Sequence, residues 1–136
     1  MLERQKAEDT VKRLFIATDK KDWIEIQRLF TAQVHFDMSS LTGEAPTVLP
    51  STSITDTWKK GLTPVEAVHH QAGNFLTEVT GDGATVFCYG MATHYKNPAF
   101  RKKTLVWFVG SYDFHLSKDS GAWRIDSIRF NKKYVE

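Results

Sequence analysis

The dominant hydrophobic period of this sequence changes near Pro64, and this change constrains the fold more than any other feature. In the longer segments before Pro64, apolar residues recur every three or four positions, a spacing that predicts amphipathic helices. After Pro64, apolar and polar residues alternate, and alternation predicts strands. Helices followed by a run of strands indicate an α+β domain and not alternating β-α-β units.

Three helices are predicted ahead of the strands. The first covers about residues 4–18, and the third covers about residues 54–61 and ends at Gly61. The second begins after Asp22, which stands three residues before a glutamate in the pattern of a capping box. The three helices are then expected to cover one face of the sheet.

The remaining segments predict a loop and five strands. Ser, Thr, Pro and Gly fill about residues 39–53, which predicts a long loop and a candidate lid. The strands are predicted at about residues 33–37, 66–79, 84–97, 103–117 and 122–132. Short turns such as Gly81-Asp82-Gly83 join the long strands, so these form an antiparallel meander. A curved sheet wrapped around helices would enclose a conical cavity suited to a ligand.

The chain has 136 residues, and we expect one domain over residues 1–136. Its one cysteine, Cys88, excludes an internal disulfide and suits a reducing compartment. No apolar run approaches the ~20 residues of a membrane span, and the charged N-terminal stretch does not resemble a signal peptide. We therefore expect a cytoplasmic protein with no membrane partner.

The net charge is +2 and the basic residues are dispersed along the chain. Patches such as Arg101 to Lys103 are interpreted as solvated turns, so no nucleic-acid partner is expected.

Asp19 is the first candidate functional residue. It lies four residues after Phe15 and so extends the apolar face of the first helix. The macrodipole disfavours a carboxylate at a helix C-terminus, so an inward Asp19 needs a cationic or hydrogen-bonding partner. The alternative is an exposed loop aspartate ahead of Lys20 and Lys21.

Three histidines in the predicted strands could meet such an acid. His94 ends a row of small residues that runs from Val86 to Ala92 on one face of its strand, and small residues leave room for a ligand or a helix. His69 and His70 are adjacent and must face opposite sides of the sheet, but alternation does not choose between them. Each of the three can also be an ordinary half-buried or surface histidine.

Short segments spread over nearly the whole chain share a family pattern. They are Ala17–Trp23, Leu29–Thr31, Val34–Asp37, His70–Asn74, Ala92–Tyr95, Gly110–Tyr112 and Gly121–Ile125. Together they resemble the SnoaL-like group of the nuclear-transport-factor-2-like superfamily, including its scytalone dehydratase-like members. The resemblance implies a cone in which three N-terminal helices pack on a strongly curved, mostly antiparallel sheet.

Carried over position by position, the resemblance implies catalytic roles for Asp19, His70 and His94, and it thereby favours His70 over His69. Two further positions, Thr18 and Met38, stand where the dehydratase has tyrosines that hold a water, so the same dehydration is not expected here. The substrate-binding positions that the resemblance implies are Thr18, Met38, Asn74 and Tyr112.

The function predicted from these residues is proton transfer next to a carbonyl. It would dehydrate, isomerise or cyclise a small cyclic or polyketide-like compound without a metal or cofactor. Asp19 is expected to accept a hydrogen bond from His94 and fix its tautomer, and His70 to act as general base and then as acid. Tyr112 or Thr18 would donate a hydrogen bond to the enolate oxygen.

Two other hypotheses stay open. The chain could be a non-catalytic binding or assembly module, like the small β subunit of ring-hydroxylating dioxygenases. One carboxylate with two histidines could also form a facial metal triad, although the resemblance disfavours a metal. The expected partners are a small hydrophobic or aromatic ligand in the cone and a second copy of the chain, since an aromatic-rich sheet face predicts a homodimer, or alternatively a trimer.

Overall fold

A computed structural model describes residues 2–136 of the chain as four helices and six strands. The helices are α1 (Leu2–Asp19), α2 (Trp23–Leu29), α3 (Ser39–Thr42) and α4 (Ser51–Leu62). The strands are β1 (Phe30–Asp37), β2 (Thr47–Pro50), β3 (Ala67–Thr80), β4 (Gly83–Lys96), β5 (Thr104–Asp119) and β6 (Ala122–Val135). No helix within the described residues is long and apolar enough to cross a membrane.

The six strands form one sheet in the order β2-β1-β6-β5-β4-β3. The four long strands pair antiparallel, whereas β1 runs parallel to β6. The helices cover one face, and the fully buried side chains between the two layers include Val11, Ile26, Val34, Leu116 and Ile125. This arrangement confirms the predicted α+β class, with helices packed on a curved and mostly antiparallel sheet.

The long loop predicted at about residues 39–53 is wrong, because that segment contains α3, β2 and the start of α4. β2 pairs with β1, with Leu49 opposite Val34. α3 starts where the Asp37 carboxylate accepts hydrogen bonds from the backbone N–H and the hydroxyl of Ser39, at 3.0 and 2.6 Å. α3 and β2 have four residues each, which is too short to display a hydrophobic period. Their polar composition therefore predicted a loop.

Several predicted boundaries also shift. The third predicted helix is α4, which begins at Ser51 and continues past Gly61 to Leu62. The short strand begins at Phe30, three residues earlier than expected. The four long strands lie where the alternation predicts them, each within two or three residues at its ends.

A bulge in β3 changes which residues face the helices. The register with β4 shifts between Gly73 and Leu76, and Asn74 adopts a left-handed φ of 54° inside the bulge. The more buried residues are even-numbered over 68–72 and odd-numbered over 75–79. The two faces of this strand therefore exchange halfway along it.

Candidate functional site

The C-terminus of α1 fixes the place of Asp19. The backbone N–H groups of Lys21 and Asp22 bond back to carbonyls of the last turn, at 3.0 and 2.9 Å, in the pattern of a Schellman motif. Lys21 has a left-handed φ of 56°, where glycine is the usual residue. Its ammonium donates to the carbonyl of Val65, just before β3, at 2.5 Å. This bond ties the end of α1 to the start of β3 and holds Asp19 beside that strand.

The Asp19 carboxylate binds His70 twice. Its Oδ2 accepts the backbone N–H of His70 at 3.0 Å, and its Oδ1 lies 2.7 Å from His70 Nδ1. β3 is an edge strand, so the Asp19 carboxylate satisfies a backbone donor that no neighbouring strand reaches. The two side chains are only 21% and 14% exposed, which protects the pair from water. The double contact leaves the imidazole of His70 little freedom.

His69 and His70 separate as adjacent strand residues must. The His69 side chain is 68% exposed, and its Nδ1 lies 3.9 Å from Asp19, beyond hydrogen-bonding distance. His70 therefore faces the helices and His69 faces outward.

The expected hydrogen bond between Asp19 and His94 is wrong, because the carboxylate binds His70. His94 lies one strand further into the sheet, on β4, whereas α1 ends beside the edge strand β3. His70 pairs with Ala92, which places His94 on the adjacent diagonal of the same face. Diagonal neighbours on a sheet are about 7–8 Å apart, so His94 lies beyond hydrogen-bonding distance of His70. The negative charge of Asp19 acts on His94 electrostatically, by raising its pKa.

His94 is half-buried and packs against Phe108, with ring centroids 4.6 Å apart. Burial lowers the pKa of His94 below its usual value, and the charges of His70 and Lys96 lower it further, while Asp19 opposes the shift. His94 is therefore neutral at physiological pH, and a neutral imidazole carries one N–H donor and one acceptor.

Phe15 covers His70 from the α1 side. Their rings stack with centroids 5.4 Å apart and planes 22° from parallel. The same phenyl ring meets Tyr112 edge-on at 5.1 Å. Sequence reasoning placed Phe15 on the apolar face of α1 but gave it no role. The signal that could have found it is its position one helical turn before Asp19.

Tyr112 lies over the row of small residues on β4. A Cβ at Gly90 would come within 2.5 Å of the Tyr112 ring, so glycine is what admits the ring there. The tyrosine also stacks on Phe114 at 5.5 Å. Burial raises the pKa of the Tyr112 hydroxyl well above its usual value, so it remains a hydrogen-bond donor at neutral pH.

The other predicted substrate-binding residues lie in different surroundings. The Thr18 hydroxyl donates to the Leu14 carbonyl at 2.7 Å, so its proton is already engaged within α1. Met38 is partly buried against the core at the start of α3. Asn74 is exposed in the β3 bulge. The structure therefore brings Asp19, His70, His94 and Tyr112 to the inner face but does not add Asn74 to them.

Cys88 belongs to the row of small residues on β4 that faces the helices. Cys88 is fully buried, and burial raises the pKa of its thiol to about 12, so the structure gives it the environment of a packed thiol and not of an activated nucleophile. Within residues 2–136, no group of three or more His, Cys, Asp or Glu side chains is positioned to hold a metal ion. Asp19 and His70 bond to each other instead.

Two grooves lie on the outer face of the sheet, away from these residues. One, of about 470 Å³, is lined by residues of β1, β2, β5 and β6 that include His35, His115 and Arg129. The other, of about 540 Å³, is lined by residues of β3 to β6 that include Tyr89 and Met91. Neither groove is lined by Asp19, His70 or His94, which face the helices.

The sequence and the structure both match known proteins. The model of the SnoaL-like domain matches residues 1–129. Among curated proteins, none matches the sequence significantly.

Three solved structures illustrate the likeness in fold. A protein of Kribbella flavida is 22% identical, with a TM-score of 0.92 over 98% of this chain and 92% of its own. A candidate scytalone dehydratase from Novosphingobium aromaticivorans is 15% identical, with a TM-score of 0.85 over 99% of this chain and 87% of its own. A hexachlorocyclohexane dehydrochlorinase is 13% identical, with a TM-score of 0.81 over 99% and 88%. These likenesses show the nuclear-transport-factor-2-like cone fold.

Proposed function

We propose that this chain, which belongs to the SnoaL-like family, is a cofactor-independent lyase or isomerase that moves a proton next to a carbonyl. The observation that carries the proposal is the Asp19–His70 pair, in which one carboxylate holds both the backbone and the ring of a shielded histidine. Structural neighbours named as a dehydratase and a dehydrochlorinase support elimination chemistry in this fold. The substrate class we propose is a small cyclic or polyketide-like carbonyl compound.

His70 is the general base in this mechanism. Because Asp19 accepts the Nδ1–H, the neutral ring presents its Nε2 lone pair. Nε2 takes a proton from the carbon beside the substrate carbonyl, and the electrons of that C–H bond form the C=C bond of an enolate. Asp19 stabilises the imidazolium that results. The proton then returns to another carbon or to a leaving hydroxyl, which gives isomerisation or dehydration.

Tyr112 and His94 would stabilise the negative charge that develops on the enolate oxygen. The Tyr112 hydroxyl keeps its proton at neutral pH, so it suits an enolate oxygen as a donor. His94 is neutral because its pKa is lowered, and it can donate one hydrogen bond from the next strand. Both side chains lie on the inner face with His70, and this shared face supports the roles proposed for them.

The test is proton exchange in D₂O with a panel of cyclic ketones and hydroxyaryl ketones, followed by loss of the NMR signals of protons beside the carbonyl. The wild type is expected to accelerate exchange of at least one compound, and His70→Gln to slow it by about 10²–10⁴-fold. His69→Gln is the matched control, since it removes the exposed neighbour and should exchange at the wild-type rate. Equal rates for the two variants, with circular dichroism showing both folded, would contradict the proposal.

A non-catalytic assembly module is the second candidate, and one observation favours it. Asp19 also completes the hydrogen bonding of an edge strand, which is a structural role that needs no substrate. The outer sheet face exposes Tyr89, Met91 and Trp107, and such a face suits a partner chain. We propose that the partner is a second copy, giving a cytoplasmic homodimer. A monomeric mass in light scattering would contradict the dimer.

A further inference from the structure

The hairpin between β4 and β5 combines an exposed aromatic ring with concentrated positive charge. Phe100 is 100% exposed, the most exposed large apolar side chain recorded in residues 2–136. It lies in the turn from Pro98 to Arg101, where the Arg101 N–H bonds back to the Pro98 carbonyl at 3.4 Å. A ring at the corner of a turn projects from the protein and has no groove of its own to enter.

The charge around this ring has a single sign. Residues 96–103 contain four cations and no acid. None of the four takes part in an ion pair with another residue of 2–136. The whole chain has a net charge of only +2, so the rest of the protein is slightly acidic and its positive charge is polarised toward this tip. The four cations are Lys96, Arg101, Lys102 and Lys103.

The tip also adjoins exposed apolar side chains on the outer face of the sheet. Leu105 and Trp107, the outward residues at the start of β5, are 52% and 40% exposed. Two acids flank the base of the tip on neighbouring segments. The backbone N–H of Glu66 donates to the Tyr95 carbonyl, and Glu136 and Trp107 exchange backbone hydrogen bonds. The tip is therefore a convex surface with an aromatic apex, a cationic collar and an apolar base.

The sequence alone predicts a solvated turn at Arg101 to Lys103 and no membrane partner. Against that expectation, we propose that this tip, residues 96–103, docks on an anionic lipid surface. Phe100 would enter the boundary between headgroups and acyl chains, where aromatic rings are favoured, and the four cations would lie among lipid phosphates. A convex apex buries its ring most readily in a deformable surface, which favours a bilayer over a folded partner. A nucleic acid would require a basic stripe with several aromatic platforms, and the tip offers one ring.

Docking of the tip would bring the candidate site close to the membrane. His94 lies two residues before Lys96, about 7 Å along β4 from the start of the hairpin. A tip held at a bilayer would therefore keep the Asp19, His70 and His94 end of the cone near the membrane, where apolar compounds concentrate. The docking itself does not depend on catalysis and is tested without a substrate.

The experiment is co-sedimentation of the full chain with vesicles of phosphatidylglycerol and phosphatidylcholine in equal parts, and with vesicles of phosphatidylcholine alone. The wild type is expected to sediment with the anionic vesicles only and to be released by added salt. Each cation near such a surface strengthens binding about fivefold, so the triple variant Arg101→Gln, Lys102→Gln, Lys103→Gln should bind about a hundredfold more weakly. Phe100→Ser should also weaken binding.

Matched controls remove cationic and apolar side chains from parts of the surface away from the tip. Arg4→Gln, Lys6→Gln and Arg13→Gln together take three exposed cations from α1, and Ile24→Ser removes an apolar side chain that is 73% exposed. Both controls should bind like the wild type. The proposal is overturned if the anionic vesicles do not bind the wild type, or if the tip and control variants bind equally. It is also overturned if Phe100→Ser changes the oligomeric mass, or if single-stranded DNA binds the tip and vesicles do not.

Discussion

Two Asp–His pairs in this chain have nearly equal lengths and opposite surroundings. Asp19 and His70 meet at 2.7 Å between α1 and the edge strand β3, with side chains 21% and 14% exposed. Asp126 and His115 meet at 2.6 Å on the outer face of the sheet, with side chains 28% and 46% exposed. The same two residue types at the same distance thus provide an internal control for what the surroundings contribute.

The inner pair is held by more than the contact itself. Asp19 also accepts the backbone N–H of His70, and the Phe15 ring stacks on the imidazole. The outer pair has neither restraint, and water screens its charges. Orientation and exclusion of water turn a carboxylate–imidazole contact into a useful base, so we expect only the inner pair to support proton transfer.

The largest expected difference follows from removing each carboxylate charge in turn. Asp19→Asn leaves the imidazolium of His70 without its counter-charge and disturbs the tautomer, so exchange of protons beside the carbonyl should fall by about 10²–10⁴-fold. Asp126→Asn should leave the rate unchanged, since that pair faces away from the helices. The measurement is the exchange rate in D₂O for whichever ketone the wild type turns over.

Folding must be checked in both variants, because the amide that replaces the Asp19 carboxylate could fail to bind the edge strand as well as the ring. Urea unfolding separates the two causes. A variant Asp19→Asn that folds and still exchanges protons at the wild-type rate would mean that the inner pair is structural and that the proposed base is wrong.

The next largest effect is expected when the Phe15 ring that stacks on His70 is removed. Phe15 is buried against His70, Tyr112 and Phe114, so Phe15→Ala should lower the free energy of unfolding by about 3–5 kcal/mol. The neighbouring Ile16 is 53% exposed, so Ile16→Ala should cost far less. Urea titrations measure both changes. A Phe15→Leu variant keeps most of the volume, so it should lose less stability than Phe15→Ala, and its His70 should keep the tautomer that the Asp19 carboxylate fixes.

The contrast between the faces also shows what the sequence could predict. Helical phase placed Asp19 on the apolar side of α1, and strand phase placed His94 on the face of small residues. Both side chains lie where these patterns indicated. The Pro64 change of period predicted the class and the four long strands, because those elements are long enough to display their period.

The choice between His69 and His70 had a specific obstacle. The bulge at Asn74 exchanges the faces of β3, so each alternating row is inward over one half of the strand and outward over the other. Any row extended through Asn74 therefore appears mixed, and only the family resemblance indicated His70. The partner of Asp19 was missed for another reason. The order of strands makes β3 the edge beside α1, and that order is a tertiary property that no local pattern contains.

A smaller effect concerns His94 and the pH dependence of the free energy of unfolding. The folded state lowers the pKa of His94, so the unfolded state binds its proton first as the pH falls. The stability that this histidine contributes is present above its unfolded pKa, about 6.5, and is lost as the pH falls toward the lower folded value. His94→Gln should therefore lose less stability than the wild type between about pH 7.5 and pH 5.5, measured by urea unfolding. Parallel losses in the two proteins would contradict a depressed pKa.

The smallest expected effect is the loss of the outer pair. His115→Ala removes an exposed contact that water and salt already weaken, so the free energy of unfolding should fall by about 0–1 kcal/mol. His70→Ala should cost more, because Asp19 is left partly buried without its ring partner, and an unsatisfied buried acceptor costs about 1–3 kcal/mol. Urea unfolding at low and high salt measures both, and only the His115 value should decrease toward zero with salt. Equal, salt-insensitive losses would mean that burial does not distinguish the two pairs, and the argument for the inner pair would then depend on its position alone.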